Sequence, residues 1–392
     1  MTCKRLIAAA AVSLWVAACG GGGEDRAGPA SLPVPTAPAP GTVGDGRLPQ
    51  LLEWARASQD APALAVVVVR RGQIAEMAAI GRRSTDNSIQ VTTADRWQIG
   101  SMTKAMTATL AAVLVEDGLI SWDTTPVDVW PELASSIHSG FRNATLRQFL
   151  SHSSGMMRDD EYGPAEDSAA GTLMQKRRAW SEHLLTRAPE FMPGTLNYSN
   201  VGYMVAGAML ETRAAIPYET ALTTRVFAPL GMTHSGFGAP GTPGALDEPL
   251  GHWSRSSGFE PVAPGSVDAD IPGSVGPAGK VHTTLEDYAR FMQAHIAGAR
   301  GVSGLLQAES FKILQRAVID NYALGWNTQT FPTLGAAGVS HGGTTGRWFS
   351  LVWLAPTLDE GLMVATNGGG ERGAAVVQAI EALMAQRIAA SP

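Results

Sequence analysis

The sequence predicts an α+β domain in which one antiparallel sheet is flanked by helices and a mostly helical region is inserted into it. Three observations lead there. Two β-rich runs joined by a tight turn stand near the start of the folded part, and two more stand near the end. Between about residues 121 and 270 the pattern changes to helical stretches separated by loops rich in Gly, Pro and Ser. Strands near both ends with helices outside them fit a single sheet assembled from the two halves of the chain.

Folding is expected to begin near Arg47, with an amphipathic helix carrying Leu48, Leu51, Leu52 and Trp54. Residues 63–70, dominated by Val66 to Val69, and residues 73–80 read as a hairpin across Arg71-Gly72. From Ser101 onward Met102, Ala105, Met106, Leu110, Val113 and Leu114 form an apolar stripe at helical spacing, with a stop at Asp117-Gly118. Helical stretches follow at 146–150, 173–185 and 201–212. Residues 349–354 and 361–366 are two apolar strands around Pro356, and residues 372–388 close the chain as a helix through Val376, Ile380, Leu383 and Met384. The folded domain is thus expected over 47–388, its α/β part at about 47–120 and 271–388 and its helical part at about 121–270.

The N-terminus reads as a targeting segment. Lys4 and Arg5 precede an apolar run over residues 6–18 that is too short for a bilayer span, so residues 1–18 read as a signal peptide. The small residues before Cys19 resemble a bacterial lipoprotein cleavage box, which makes Cys19 the expected lipidated residue. Cys3 and Cys19 are the only cysteines, so the mature domain has no internal disulfide to form. Residues 19–46, with Pro29, Pro33, Pro35, Pro38 and Pro40 and few bulky apolar residues, are expected to form an extended tether. The expected location is outside the cytoplasm, membrane-anchored and facing the periplasm or the cell exterior.

Composition excludes some classes. With a formal net charge of −6 and no lysine-rich patch, nucleic acid is not expected as a partner. H-E-x-x-H does not occur, and no metal and no cofactor are expected.

The chemistry is carried by three segments. Ser101-Met102-Thr103-Lys104 stands at a helix start, where residues three apart are neighbours, so the Lys104 amine reaches the Ser101 hydroxyl. A helix N-terminus disfavours a protonated lysine, and burial adds to that, so the amine is pushed toward the form that can act as a base. Outside the signal the only lysines are Lys104, Lys176, Lys280 and Lys312, and only Lys104 has a serine at that spacing. Pro193-Gly194 then leads to Tyr198-Ser199-Asn200, a phenol and an amide on a loop before a helix. The bland alternative is an ordinary helix entry capped by Asn200. Last, His341-Gly342-Gly343-Thr344 lies just before the penultimate apolar strand, where glycines admit a ligand and free N–H groups can hold an oxyanion.

Ser-x-x-Lys, Tyr-x-Asn and His-x-Gly in this order resemble the serine β-lactamase/D-Ala-D-Ala carboxypeptidase superfamily. The nearest branch is the class C β-lactamase-related group, which also contains esterases and D-aminopeptidases. Residues 148–156, Pro229-Leu230-Gly231-Met232 and Gly276-Pro277-Ala278-Gly279 are similar to stretches of the same family, and the resemblance spans about residues 50–388. It implies a β-lactamase/DD-peptidase-like fold and a serine hydrolase forming an acyl-enzyme at Ser101, with Lys104 and Tyr198 sharing the proton handling. It also implies that Asn200 bonds the substrate amide and holds Lys104. The oxyanion hole would be the N–H groups of Ser101 and Thr344, and His341 would bind a substrate carboxylate or line the pocket, with Gly343 leaving room.

The expected substrate is a small molecule or peptide: a D-Ala-D-Ala-type peptide, a β-lactam or a small ester. Two departures stand out. Class C β-lactamases usually carry Lys-Thr-Gly where this chain has His-Gly-Gly, and Lys280 stands where many relatives have a second glycine. The alternatives are a penicillin-binding or sensor protein that acylates with little turnover, and a scaffold that has lost catalysis.

Overall fold

The computed structural model describes residues 35–159 and 170–392. The signal peptide, Cys19 and most of the expected tether lie outside the described residues. Among the described residues no helix is long and apolar enough to cross a membrane.

The strands are β1 (Ala63–Arg70), β2 (Gln73–Gly81), β3 (Trp97–Gln98), β4 (Gly236–Phe237), β5 (His252–Arg255), β6 (Gly258–Pro261), β7 (Val281–Thr283), β8 (Asn327–Phe331), β9 (Ala336–Thr344), β10 (Phe349–Ala355) and β11 (Glu360–Thr366). Six form one antiparallel sheet in the order β2-β1-β11-β10-β9-β8, so the first hairpin of the domain is zipped directly to its last strand. The β1–β2 turn is tight because Arg71 and Gly72 both take positive φ, 51° and 73°, the backbone of a two-residue hairpin loop.

Strand β1 explains why its valine run was needed. Ala65, Val67 and Val69 enter one core, whereas Leu64, Val66 and Val68 enter another on the opposite face. A strand covered on both sides is apolar at every position. The outer core is closed by α1 (Leu48–Ser58) and the C-terminal helix. The inner core is shared by the sheet, by α2 (Thr103–Glu116) and by the helical region. Because α2 lies between sheet and helices, Thr103, Lys104, Thr107 and Thr109 are buried along with its apolar stripe.

The helical region holds α3 (Leu146–Leu150), α4 (Leu173–Thr186), α5 (Asn200–Ala214) and α6 (Tyr218–Leu222); α7 (Gly276–Gly279), α8 (Leu285–Ala299) and α9 (Gly370–Ala389) belong to the α/β part. Thr145 with Gln148 and Thr172 with Gln175 form capping boxes that start α3 and α4. Residues 40–45, expected as part of a free tether, are instead docked. The buried Arg387 of α9 donates to the Pro40 carbonyl at 2.7 Å and to Asp45 at 2.5 Å, and the Val43 N–H donates to Ser391 Oγ at 2.7 Å.

Candidate active site

Ser101 sits in a 3₁₀ turn, Gly100–Met102, that feeds α2. Strand β8 pairs with β9 only as far as Ser340; from His341 on, the edge of β9 faces the Ser101 turn. Two glycines permit that approach. A Cβ on Gly100, whose φ is +50°, would lie 2.5 Å from the Thr344 backbone nitrogen, and one on Gly343 would lie 2.0 Å from the Ile99 carbonyl oxygen. Gly343 was expected to leave room for substrate. Its missing side chain instead makes room for the backbone that carries Ser101.

Lys104 is fully buried one helical step from Ser101. Its Nζ lies 3.0 Å from Ser101 Oγ, 2.7 Å from Asn200 Oδ1 and 2.9 Å from the Ala278 carbonyl of α7. It also lies 4.7 Å from the centre of the Tyr198 ring and 5.4 Å from that of Tyr203. Ser199, not Asn200, caps α5: its Oγ accepts from Gly202 N–H at 2.8 Å. This leaves the Asn200 amide for the site. Its orientation is fixed from both ends, because Oδ1 faces the amine and Nδ2 donates to Asp159 Oδ1 at 2.5 Å.

His341 is 2% exposed. Its Nδ1 donates to the Gly342 carbonyl at 2.6 Å, so Nε2 is the acceptor, and the Tyr322 hydroxyl donates to it at 3.1 Å. Burial, and then the nearby Lys104 charge, hold its pKa down to about 3. His341 is therefore a neutral ring with both nitrogens engaged inside the protein. It supplies no positive charge for a substrate carboxylate.

Some participants were not legible in the sequence. The Ala278 carbonyl is a backbone atom, invisible to any side-chain motif. His152, assigned only a structural place in its loop, takes a positive φ of 59°. It packs against Tyr198, Tyr203 and Tyr322 at 4.3, 5.1 and 4.6 Å between ring centres. Its Nδ1 accepts from the Ser199 N–H at 3.0 Å, and burial holds its pKa well below the usual histidine value. It thus fixes the loop that presents Tyr198. Tyr322 carried no motif at all. Lys280, which departs from the family pattern, forms an ion pair with Asp270 and donates to the Ile271 carbonyl at 2.6 Å. Among the described residues no cluster of three or more His, Cys, Asp or Glu is placed to hold a metal ion.

Ser101, Lys104, Tyr198, Asn200, His341 and the Thr344 backbone thus converge from the 3₁₀ turn and α2, from the start of α5 and the loop before it, and from β9. Known proteins resemble the chain in sequence and in fold. A protein of Amycolatopsis lactamdurans described as penicillin-binding protein 4 is 28% identical over 327 residues, 80% of this chain and 83% of that one. A β-lactamase of Escherichia coli (strain K12) is 26% identical over 240 residues, 61% of this chain and 57% of that one. The solved structure of the D-alanine carboxypeptidase AmpC from Burkholderia cenocepacia superposes with a TM-score of 0.65 at 22% identity. It covers 85% of this chain and 97% of that one, and at this identity it speaks for the fold. The family profile described as "Beta-lactamase" matches residues 48–385; the chain belongs to the β-lactamase family, among its serine hydrolases and penicillin-binding proteins.

Proposed function

We propose that this protein is a hydrolase that forms an acyl-enzyme at Ser101 on an amide or ester. One observation carries the reading. Two of the Lys104 contacts, the Asn200 oxygen and the Ala278 carbonyl, can only accept hydrogen bonds. Charged, the amine can donate to all three neighbours; once it has given up one proton, its two remaining hydrogens stay on these two acceptors. Its lone pair then faces Ser101 Oγ at 3.0 Å, the geometry of a base and its nucleophile.

In this mechanism Lys104 takes the Ser101 proton as Oγ attacks the substrate carbonyl carbon. The N–H groups of Ser101 and Thr344 receive the developing oxyanion. The tetrahedral intermediate collapses, and the leaving group takes a proton through Tyr198, whose ring stands over Lys104. Water attacks the acyl carbonyl in the second half, and the same two residues return the proton to Ser101. Asn200 holds Lys104 and meets the substrate amide.

The test is incubation with a chromogenic cephalosporin and with a p-nitrophenyl ester, following colour and intact mass. Turnover that disappears in Ser101→Ala supports the hydrolase; labelling that persists in Ser101→Ala overturns it. A stable adduct without turnover favours the second reading, a penicillin-binding protein that acylates and scarcely deacylates, which the likeness to penicillin-binding protein 4 also supports.

Export and lipidation at Cys19 belong to the same proposal, on the strength of the apolar run and the small residues before it. Mass spectrometry of the membrane-extracted chain should find a mature N-terminus at Cys19 carrying acyl chains. A soluble, unmodified mature chain would reject this part alone.

A further inference from the structure

Strand β9 offers the substrate two directions. Its His341 end lies beside Tyr198, with ring centres 6.4 Å apart, and Tyr198 is the residue assigned to the leaving group's proton. The leaving group therefore lies toward His341, and the acyl portion follows the strand past Thr344 into the turn of residues 345–348. The wall of the site continues there, because Thr345 Oγ1 donates to Gln98 Oε1 at 3.0 Å and Gln98 Nε2 donates to Asp270 at 2.7 Å. Gln98 itself precedes Ser101 by three residues.

Arg347 stands in this turn. It is 6% exposed, and its Nε is buried without a hydrogen-bond partner. Its guanidinium lies 4.9 Å from the centre of the Trp253 ring, which holds the fork in one plane. Two carboxylates lie near it: Asp270 is committed elsewhere, to Gln98, to Lys280 and to the Ile271 N–H, and Asp268 is exposed and makes no ion pair with it among the described residues. The other arginines of this neighbourhood are paired, Arg83 with Asp95 and Arg96 with Glu248. A guanidinium whose buried Nε is not filled is costly unless an anion completes it, and a carboxylate is the planar partner that fits its fork. His341 is neutral and supplies no such charge at the other end of the strand.

Resting on the acyl-enzyme reading, we propose that Arg347 is the anion-recognising residue of the acyl subsite, and that it selects substrates whose acyl group ends in a carboxylate. The carboxylate takes no part in the bond changes at Ser101; it fixes the acyl chain along β9 while the ester or amide bond is broken at the other end.

The experiment compares the mono-p-nitrophenyl ester of adipic acid with p-nitrophenyl hexanoate on the full chain. Acylation is read by intact mass as well as by colour, so that a protein without turnover still reports. The wild type should prefer the adipate ester at least tenfold in acylation efficiency. Arg347→Gln should raise KM for the adipate ester about tenfold or more while leaving the hexanoate within twofold, and Arg347→Lys should fall between. Equal treatment of the two esters by the wild type, or an equal loss on both in Arg347→Gln, overturns the Arg347 assignment and leaves the nucleophile standing. Acylation that survives in Ser101→Ala, or none by either ester in the wild type, overturns the acyl-enzyme reading for esters and the selectivity with it.

Discussion

Two of the fully buried basic side chains among the described residues, Arg177 and Lys104, are treated in opposite ways. Arg177 of α4 meets two carboxylates, Glu211 of α5 at 2.5 Å and Glu219 of α6 at 2.6 Å, and donates to the Ser274 carbonyl at 3.1 Å. The hydrogen-bond partners described around Lys104 are a hydroxyl, an amide and a peptide carbonyl. Guanidinium cannot give up its proton in a protein, so burying it requires anions and makes a rivet between helices. An amine can give up its proton, so neutral neighbours suit it and free it for proton transfer. The two are also linked. The segment held by Arg177 runs directly into α7, whose Ala278 carbonyl receives Lys104.

The largest effect expected on the Lys104 side is Ser101→Ala, which should reduce acylation by about 10⁴-fold or more with an unchanged melting temperature. Lys104→Met should slow it by about 10³-fold. On the Arg177 side the order reverses. Arg177→Met should cost about 3–5 kcal/mol in urea unfolding and alter acylation far less than Lys104→Met. The double variant Arg177→Met/Glu211→Leu should recover most of that stability. If Arg177→Met instead abolished acylation at full stability, the division between rivet and proton carrier would fail.

Gly343→Ala tests the contact between β9 and the Ser101 turn. A Cβ 2.0 Å from the Ile99 carbonyl has to push the backbones apart, costing about 1–3 kcal/mol and slowing acylation together with stability. Loss of stability alone would show that the oxyanion geometry tolerates the shift.

The smallest effect separates the two regions by sign. His341 takes a proton near pH 6.5 when unfolded and only near 3 when folded, so its contribution is full above 6.5 and is lost as pH falls toward 3. Burial pushes Glu211 the other way, up to about 7 from 4.5, so its contribution is full below 4.5 and lost as pH rises toward 7. Between pH 5 and 6 the two change stability with opposite signs. Urea melts should therefore show a less positive slope of stability against pH in His341→Gln than in the wild type, and a more positive one in Glu211→Gln.

Much of this was written locally in the chain. The β1–β2 hairpin, β10 and β11 are runs of apolar residues bounded by turn residues, and the sheet they form joins the two halves of the domain as the pattern implied. The Ser101–Lys104 contact follows from helical spacing alone. Strand β9 was harder to see. Ala-Ala-Gly at its start and Gly342-Gly343 near its end lower its strand propensity, and what makes it a strand is pairing with β10. The stripe on α2 suggested a helix with one buried face, yet packing between sheet and helices buries most of its circumference. The contacts that position Lys104 and His341 come from Ala278 and Tyr322, whose proximity is a property of the fold and of no local spacing.

The docking of residues 40–45 on α9 has an engineering consequence. With the Val43 N–H 2.7 Å from Ser391 Oγ, the two ends of the domain meet at one spot, and a linker of a few residues would join them. The chain could then be reopened in a surface turn such as that at Gly335, where nothing packs within 4 Å of the missing side chain. Such a circular permutant would place β11 and β1, partners in the sheet, on one stretch of chain through α9, the linker and α1, and would start its synthesis with the strand that faces Ser101.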